Sequence, residues 1–523
     1  MNVNETIFDV CVVGSGAAGG TLSSRLARQG LKVIVVEGGP RIDTRRAFNT
    51  HAMPYDFPSR KVPLLMPGVA GFENERTRGV GGKTLLWNAV AWRLSQRDFK
   101  GYTFEKAGVD WPINYSDLAP YYDQIETEVG VCGAADHLAD LPDGQFLPPL
   151  PLRCSDHIIR RGAQRLGIPV IHVRKATLTV PRDSRPACHY CGNCMAGCDV
   201  VAKYDSANVQ LFPTETTGKL TILADAVVRE LTLKDRKRVN GVRYLNRNTL
   251  KEGRIQARSV VVSCACVQSV ALLLMSSSGD YPHGMANSSG QLGKNYIPHF
   301  TGTLIGFARE LIGTPCLSDE GALDHAYIPS YMHSRPRNYF RSFGIQFNYH
   351  NRRTVPWAKQ LDGFGIELKR AVRERYPAFV NVAPYGEMLP SSGSTIHLNA
   401  AKKDRFGLPS AAVSIRYGDN EKKLFAAMRA ESRRILEASG VEILEDQLEP
   451  RTNHELGGCR MGSDPSQSVV NEFCQSHDIA NLFVVDGSVF PSASEKNPTL
   501  TIMSLAARSA DFIKNEFQRG SLG

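Results

Sequence analysis

This 523-residue chain has no run of about 18 consecutive apolar residues, so no transmembrane helix is expected. Its opening, MNVNETIFDV, lacks both a basic n-region and an apolar h-region, and no signal peptide is expected. Long basic tracts are missing too. The net charge is +10, but Lys and Arg are scattered and cluster only in short groups such as Lys234-Asp235-Arg236-Lys237-Arg238. That distribution suits a solvated face, or docking of an acidic redox partner, and provides no arm for nucleic acid. There are 12 cysteines; four crowd into 188–198 and the others are dispersed, which excludes the disulfide framework of a small secreted domain. No internal repeat and no low-complexity segment is found. The hydrophobic share, 42%, is that of a soluble globular protein, and the length suffices for two large domains or one with a big insertion.

What is present begins with Phe8–Pro40, FDVCVVGSGAAGGTLSSRLARQGLKVIVVEGGP. An apolar run at Val10–Val13 suits a buried strand, Thr21–Gln29 suits a helix, and Val33–Val36 suits a second strand. Between the first two lies a G-x-G-x-x-G turn. Gly14 allows the tight turn, Gly16 lets backbone approach a pyrophosphate, and Gly19 lets helix and strand pack closely. The helix N-terminus then presents free N–H groups to the phosphates. Glu37, about 20 residues on, ends the second strand where an acid can bind ribose hydroxyls. The order strand, glycines, helix, strand, acid predicts a dinucleotide site. By itself it does not separate NAD from FAD.

Further along, Arg41–Arg78 reads as irregular, and the glycines of Gly79–Arg93 suit close backbone approach to a flat ligand. Ser116 is placed to cap a helix running through Tyr121–Val129. Thr221–Glu230 reads as one strand, Val239–Leu245 with Arg254–Ser259 as a β-ribbon, and the run from Val260 as a separate buried strand leading into a helix at Ser269–Ser276. From Phe300 to Asp446 the pattern becomes mostly antiparallel, with strands such as Thr303–Ala308 and Ser342–Tyr349 and a helix around Asp419–Ala438. Asn481–Pro491 returns to a buried strand and turn, and a helix at Thr499–Phe517 closes the chain. The expected fold is α/β plus an antiparallel sheet: a Rossmann-like cofactor domain built from 1–95, 205–298 and 450–523, and a discontinuous substrate domain from 96–204 and 299–449.

Four stretches carry a family resemblance: VVEGGP after the glycine turn, Asn453-His454-Glu455-Leu456-Gly457-Gly458-Cys459-Arg460-Met461-Gly462, Asn481–Pro491, and Asn497-Pro498-Thr499-Leu500-Thr501-Ile502. With them the chain resembles the glucose–methanol–choline (GMC) family of FAD-dependent oxidoreductases. Within it, Gly79–Arg93 and Asp110–Tyr122 look like the branch that oxidises sugars and polyols, which includes flavoprotein subunits of bacterial gluconate, fructose and glucose dehydrogenases and is related to glucoside 3-dehydrogenases. The resemblance is good at both ends and poor over 300–440. It implies FAD, with Gly14, Gly16, Gly19 and Glu37 on the ADP half and the backbone of Val228 at adenine. Gly81, Gly82 and Asn88 would lie along the isoalloxazine, Asp486 and Gly487 at the pyrophosphate and ribityl chain, and Thr499 near the pyrimidine edge. Some relatives link the flavin to a His in a Thr-x-His-Trp-like stretch; here the run is Thr84-Leu85-Leu86-Trp87, so non-covalent FAD is expected.

Oxidising an alcohol needs a base for the hydroxyl proton and an acceptor for the hydride; imidazole suits the first and flavin N5 the second. The resemblance assigns His454 as the base and Asn497 as the group that positions the hydroxyl. The substrate expected is a secondary alcohol of a sugar, glycoside or polyol, C3 of a glucoside among them, with electrons passed to a cytochrome or a small partner subunit. A peroxide-forming oxidase, a sterol or fatty-alcohol oxidoreductase, and an electron-transfer flavoprotein subunit are the alternatives. His299, His325, His350 and His397 lie in the variable region and are expected to be mostly structural or exposed, with room for one to touch substrate. Cys188, Cys191, Cys194 and Cys198 have the spacing C-x2-C-x2-C-x3-C, without the proline that usually follows. Three readings stay open for them: a three- or four-iron cluster, free or structural thiols, and zinc. The location is expected to be periplasmic through a partner subunit, or cytoplasmic.

Overall fold

The computed structural model describes residues 3, 5–48, 77–192, 194–315, 323–347 and 355–522. Most of the expected irregular segment Arg41–Arg78, the end of the expected strand Ser342–Tyr349, and His350 lie outside the described residues.

One sheet has a parallel core. Its strands Leu220–Leu223, Val33–Val36, Ile7–Val13, Glu252–Val262 and Leu482–Val484 lie side by side in that order. They come from the beginning, middle and end of the chain. Val10, Cys11, Val12, Val33, Ile34, Val35, Val260, Val261 and Val262 are fully buried, as expected for strands covered on both faces. The helices Ala17–Arg28 and Thr499–Gln518 pack together, tied by the Arg25–Asp511 ion pair at 2.7 Å.

Two expectations change here. Thr221–Glu230 is two strands, Leu220–Leu223 and Ala226–Asp235. Asp225 adopts a left-handed φ of 55° and donates its N–H to Gly39 O, which turns the chain out of the parallel sheet. Conversely, the expected ribbon and the separate buried strand are one continuous strand, Glu252–Val262. Its first half pairs antiparallel with Arg238–Asn246 and its second half parallel with Ile7–Val13. The helix that follows starts earlier than expected, at Cys266. The helix near Ser116 starts at Tyr115 and is capped by Asn114 with Asp117, not by Ser116.

The second sheet is antiparallel throughout, in the order Val441–Asn453, His299–Ala308, Phe379–Gly386, Phe343–Phe347, Ala326–Ile328, Ile171–His172. The helix Asp419–Ala438 packs against it. Between the two sheets runs a cavity of about 500 Å³. Among the described residues no helix is long and apolar enough to cross a membrane.

Candidate active site

The cavity begins at the glycine turn. Gly14 has φ 101° and its N–H donates to Val36 O at 2.9 Å; a Cβ there would fall 2.3 Å from Ser263 O. A Cβ on Gly19 would fall 2.0 Å from Gly14 O. Gly16 is different. A Cβ on it meets no protein atom within 4 Å, because Gly16 borders the cavity itself. The turn therefore leaves backbone exposed at the end of a helix, which is the cradle a pyrophosphate requires.

Ser15 stitches the second glycine loop to the first. Its Oγ donates to Glu37 Oε2 at 2.6 Å and accepts from Gly81 N–H at 3.0 Å. Gly81 and Gly82 have φ of 109° and 54°, and a Cβ on Gly82 would lie 3.0 Å from Gly16 Cα. Glu37 also accepts from Gly39 N–H at 3.0 Å, and burial raises its pKa. Val228, in the strand Ala226–Asp235, borders the same end of the cavity. Asp486 accepts from Ser269 Oγ at 2.5 Å and from Ser488 N–H at 2.8 Å, and with Gly487 and Thr499 it borders the middle of the channel. Asn88 borders it too, held from behind: its Oδ1 accepts from Lys175 Nζ at 2.9 Å and its Nδ2 donates to Asp324, whose carboxyl burial pushes up to about 6. The open cradle at Gly16, the acid at Glu37 and the long channel fit FAD.

The far end holds His454 and Asn497. His454 has a left-handed φ of 49°, which turns its ring from the end of the strand Val441–Asn453 to the cavity. Asn497 is carried on a loop fixed from below. Lys496 Nζ donates to Asp98 Oδ2 and Glu495 Oε1, both at 2.9 Å, and Ser494 Oγ donates to Asp98 Oδ1 at 2.9 Å. Burial alone would raise the Asp98 pKa, but the Lys496 charge overcomes it and holds the carboxyl below its usual range.

The hydrogen bonds at this end have only one self-consistent direction. Ser494 O can only accept, so His299 Nε2 carries the proton that meets it. His299 Nδ1 is then an acceptor and takes the Nδ1–H of His454 at 2.9 Å. His454 Nε2 is left with a lone pair, facing Asn497 Nδ2 at 3.1 Å. Asn497 Oδ1 accepts from Gln346 Nε2 at 2.6 Å. Burial, followed by the neighbouring His299 ring and the Lys83 charge, lowers the His454 pKa well below its usual value, and burial lowers His299 to about 4. Both imidazoles are neutral, and the free base is Nε2 of His454.

The sequence motifs contain His454 and Asn497 but not the groups that support them. His299, one of the histidines expected to be mostly structural or exposed with room for one to touch substrate, is fully buried behind His454, opposite Asn453 in the strand ladder. Gln346 and Tyr385, whose ring lies 5.4 Å from that of His454, were not singled out. Only the strand pairing could have pointed to them.

The cysteine loop lies beside the channel, with Met195 reaching its wall. Cys194 packs in an apolar cluster with Val90, Trp92 and Cys132. Burial, with Cys194 and Cys198 nearby, pushes the Cys188 thiol up to about 12, and burial raises Cys198. Thiols suit soft metals. Among the described residues no group of three or more His, Cys, Asp and Glu side chains is arranged to hold a single metal ion.

Two family models described as GMC oxidoreductase match residues 19–301 and 390–506. The fructose dehydrogenase large subunit of Gluconobacter japonicus is 28% identical over 557 aligned positions, covering 99% of this chain and 100% of that protein. A 2-methyl-1,2-propanediol dehydrogenase of Mycolicibacterium austroafricanum is 29% identical, covering 99% and 97%. The crystal structure of pyridoxine 4-oxidase from Mesorbium loti superposes with a TM-score of 0.68 at 17% identity, covering 97% of this chain and 99% of that one, which shows a shared fold.

Proposed function

The chain belongs to the GMC oxidoreductases, and on that premise we propose that it oxidises a secondary hydroxyl of a sugar, glycoside or polyol, C3 of a glucoside among them. One observation carries the reading: a neutral imidazole with its Nε2 lone pair directed at an amide N–H, in the same cavity as a dinucleotide cradle. The sugar and the diol named for the two relatives are both polyhydroxylated alcohols.

FAD, when bound, supplies a hydride acceptor at N5. Every other step belongs to the chain. Asn497 Nδ2 holds the substrate hydroxyl oxygen beside His454, and His454 Nε2 takes the hydroxyl proton as the carbinol hydrogen leaves. The imidazolium so formed keeps its Nδ1–H on His299, whose own proton stays on Ser494 O. Gly14, Gly16, Gly19 and Glu37 would hold the ADP half, with the backbone of Val228 at adenine. Gly81, Gly82 and Asn88 would lie along the isoalloxazine, Asp486 and Gly487 at the pyrophosphate and ribityl chain, and Thr499 near the pyrimidine edge; all but Gly81 line the same cavity. Residues 1–95, 205–298 and 450–523 form the cofactor domain; 96–204 and 299–449 form the substrate domain. No flavin-linking His stands at Leu86, so FAD is held non-covalently and leaves with the supernatant on acid denaturation.

Electrons leave to a carrier, a cytochrome or a small partner subunit, in keeping with the large-subunit name of one relative. The proton and hydride steps use none of Cys188, Cys191, Cys194 and Cys198. The test is an anaerobic flavin-bleaching screen of sugars, glycosides, polyols and sterols. Bleaching by polyols establishes the reading, and failure of every alcohol would favour an electron-transfer subunit. Stoichiometric peroxide with substrate in air would make it an oxidase.

A further inference from the structure

Gln346 lies on the strand Phe343–Phe347, in the stretch of the chain that carries no recognisable motif. It is 1% exposed and borders the reacting end of the cavity. The chain of hydrogen bonds that starts at Ser494 O dictates its orientation. Each group from His299 to Asn497 can face its neighbour in only one sense, so the Gln346 atom that meets Asn497 Oδ1 must be Nε2. Its Oε1 is then left buried with no donor among the described residues. A buried carbonyl without a partner costs about as much as a lost hydrogen bond, and a donor on a bound ligand would remove that cost.

The same sheet face repeats the pattern. Gln346 stands directly across from Ala383, and Asn381 is two residues further along that strand, so both project to one side. Asn381 is fully buried, and both its Oδ1 and Nδ2 lack partners. Tyr385, on the same side, lies against the rings of His454 and His299, so this face looks toward the base. Of the two, only Gln346 borders the cavity, so an apolar or singly hydroxylated substrate would leave its Oε1 buried and unpaired, whereas a polyhydroxylated one would satisfy it.

We propose that Gln346 is a specificity-determining residue: its Oε1 accepts a hydrogen bond from a second substrate hydroxyl, on the carbon beside the one being oxidised. This deepens the alcohol-oxidising reading above and rests on it. Gln346 thereby links two tasks, since its Nε2 orients Asn497 for the reacting hydroxyl while its Oε1 measures the neighbouring one.

The experiment compares anaerobic flavin reduction by paired alcohols in the FAD-loaded protein. The pairs are butane-2,3-diol with butan-2-ol, and a polyol that bleaches the flavin with its analogue lacking the neighbouring hydroxyl. The wild type should favour the diol member in kcat/KM by about 10-fold or more. Gln346→Met, of similar shape with no polar atom, should lose most of that preference. Gln346→Glu, which keeps an acceptor and loses the donor to Asn497, should be slower on both members and keep the preference. A wild-type ratio near one, a Met variant with the ratio intact, or equal loss in Met and Glu would each overturn the inference and leave the alcohol-oxidising reading standing. If Met abolishes FAD retention, the wild-type ratio and the Glu variant still decide. If no hydroxyl compound bleaches the flavin, both readings fall together.

Discussion

His299 Nδ1 and His454 Nδ1 lie 2.9 Å apart, and only one of the two nitrogens can carry a proton. Ser494 O settles which, because a carbonyl must be met by an N–H. A backbone carbonyl on the loop before Asn497 thus decides that the basic nitrogen of His454 is the one facing the cavity. Behind that base stands a second neutral ring, where a carboxylate would have raised the pKa. The result is a weak base that stays unprotonated over a wide pH range.

Replacing His454 with Ala should leave FAD bound and slow flavin reduction by substrate about 10²–10⁴-fold. Rapid mixing with a bleaching alcohol measures this, and a loss below about tenfold would remove His454 from the role of base.

The acid limb of the reduction rate should fall below pH 6.5, since the His454 pKa is lowered well below that value. The free base is then present at every pH above it, and protonation removes it only on the acid side. His299→Leu frees the tautomer of His454 and should both slow reduction and move that limb; an unchanged pH profile would reduce His299 to packing.

Stability should follow the same protons. His299 has a folded pKa of about 4 against an ordinary 6.5, so below pH 6.5 the unfolded chain binds a proton that the folded chain refuses. The stability present above pH 6.5 is lost as pH falls to about 4. Thermal midpoints measured across that window should drop less steeply in His299→Asn than in the wild type.

Gly16 and Gly19 should separate cofactor room from protein packing. Gly16 has φ −69° and open space where a Cβ would go, so Gly16→Ala should keep apoprotein stability within about 0.5 kcal/mol while weakening FAD binding by about tenfold or more. Gly19→Ala drives a Cβ onto Gly14 O and should cost roughly 1–3 kcal/mol of stability. Titration of apoprotein with FAD, alongside thermal melts, checks both. Unaltered FAD affinity in Gly16→Ala would mean that the pyrophosphate lies elsewhere.

Lys496→Met strands Asp98 and Glu495 as buried carboxylates and should destabilise the protein by about 3–5 kcal/mol. Denaturant unfolding measures the loss. A loss under about 1 kcal/mol would show that the loop beneath Asn497 is held by other contacts.

Much of the cofactor end was legible in the residues alone, because its signals are local. The glycine spacing, the acid after the second strand and the apolar runs around them report backbone turns and burial within 30 residues of chain. The errors have the same origin. Apolar patterning runs unbroken through Thr221–Glu230, whereas the break at Asp225 depends on a bond to Gly39 far away in sequence. Glu252–Val262 changes character halfway along, and a local reading divides it where its partners change and its backbone does not.

His454 and Asn497 came from motifs in the sequence, and so did the cysteine run at 188–198. Which nitrogen is basic, what holds Asn497, and that His299 and Gln346 belong to the site were decided only by tertiary structure. The reason is physical. Residue type fixes which groups can donate or accept, but the direction of a hydrogen-bond chain depends on its terminal partner, and Ser494 O meets His299 across 195 residues of sequence.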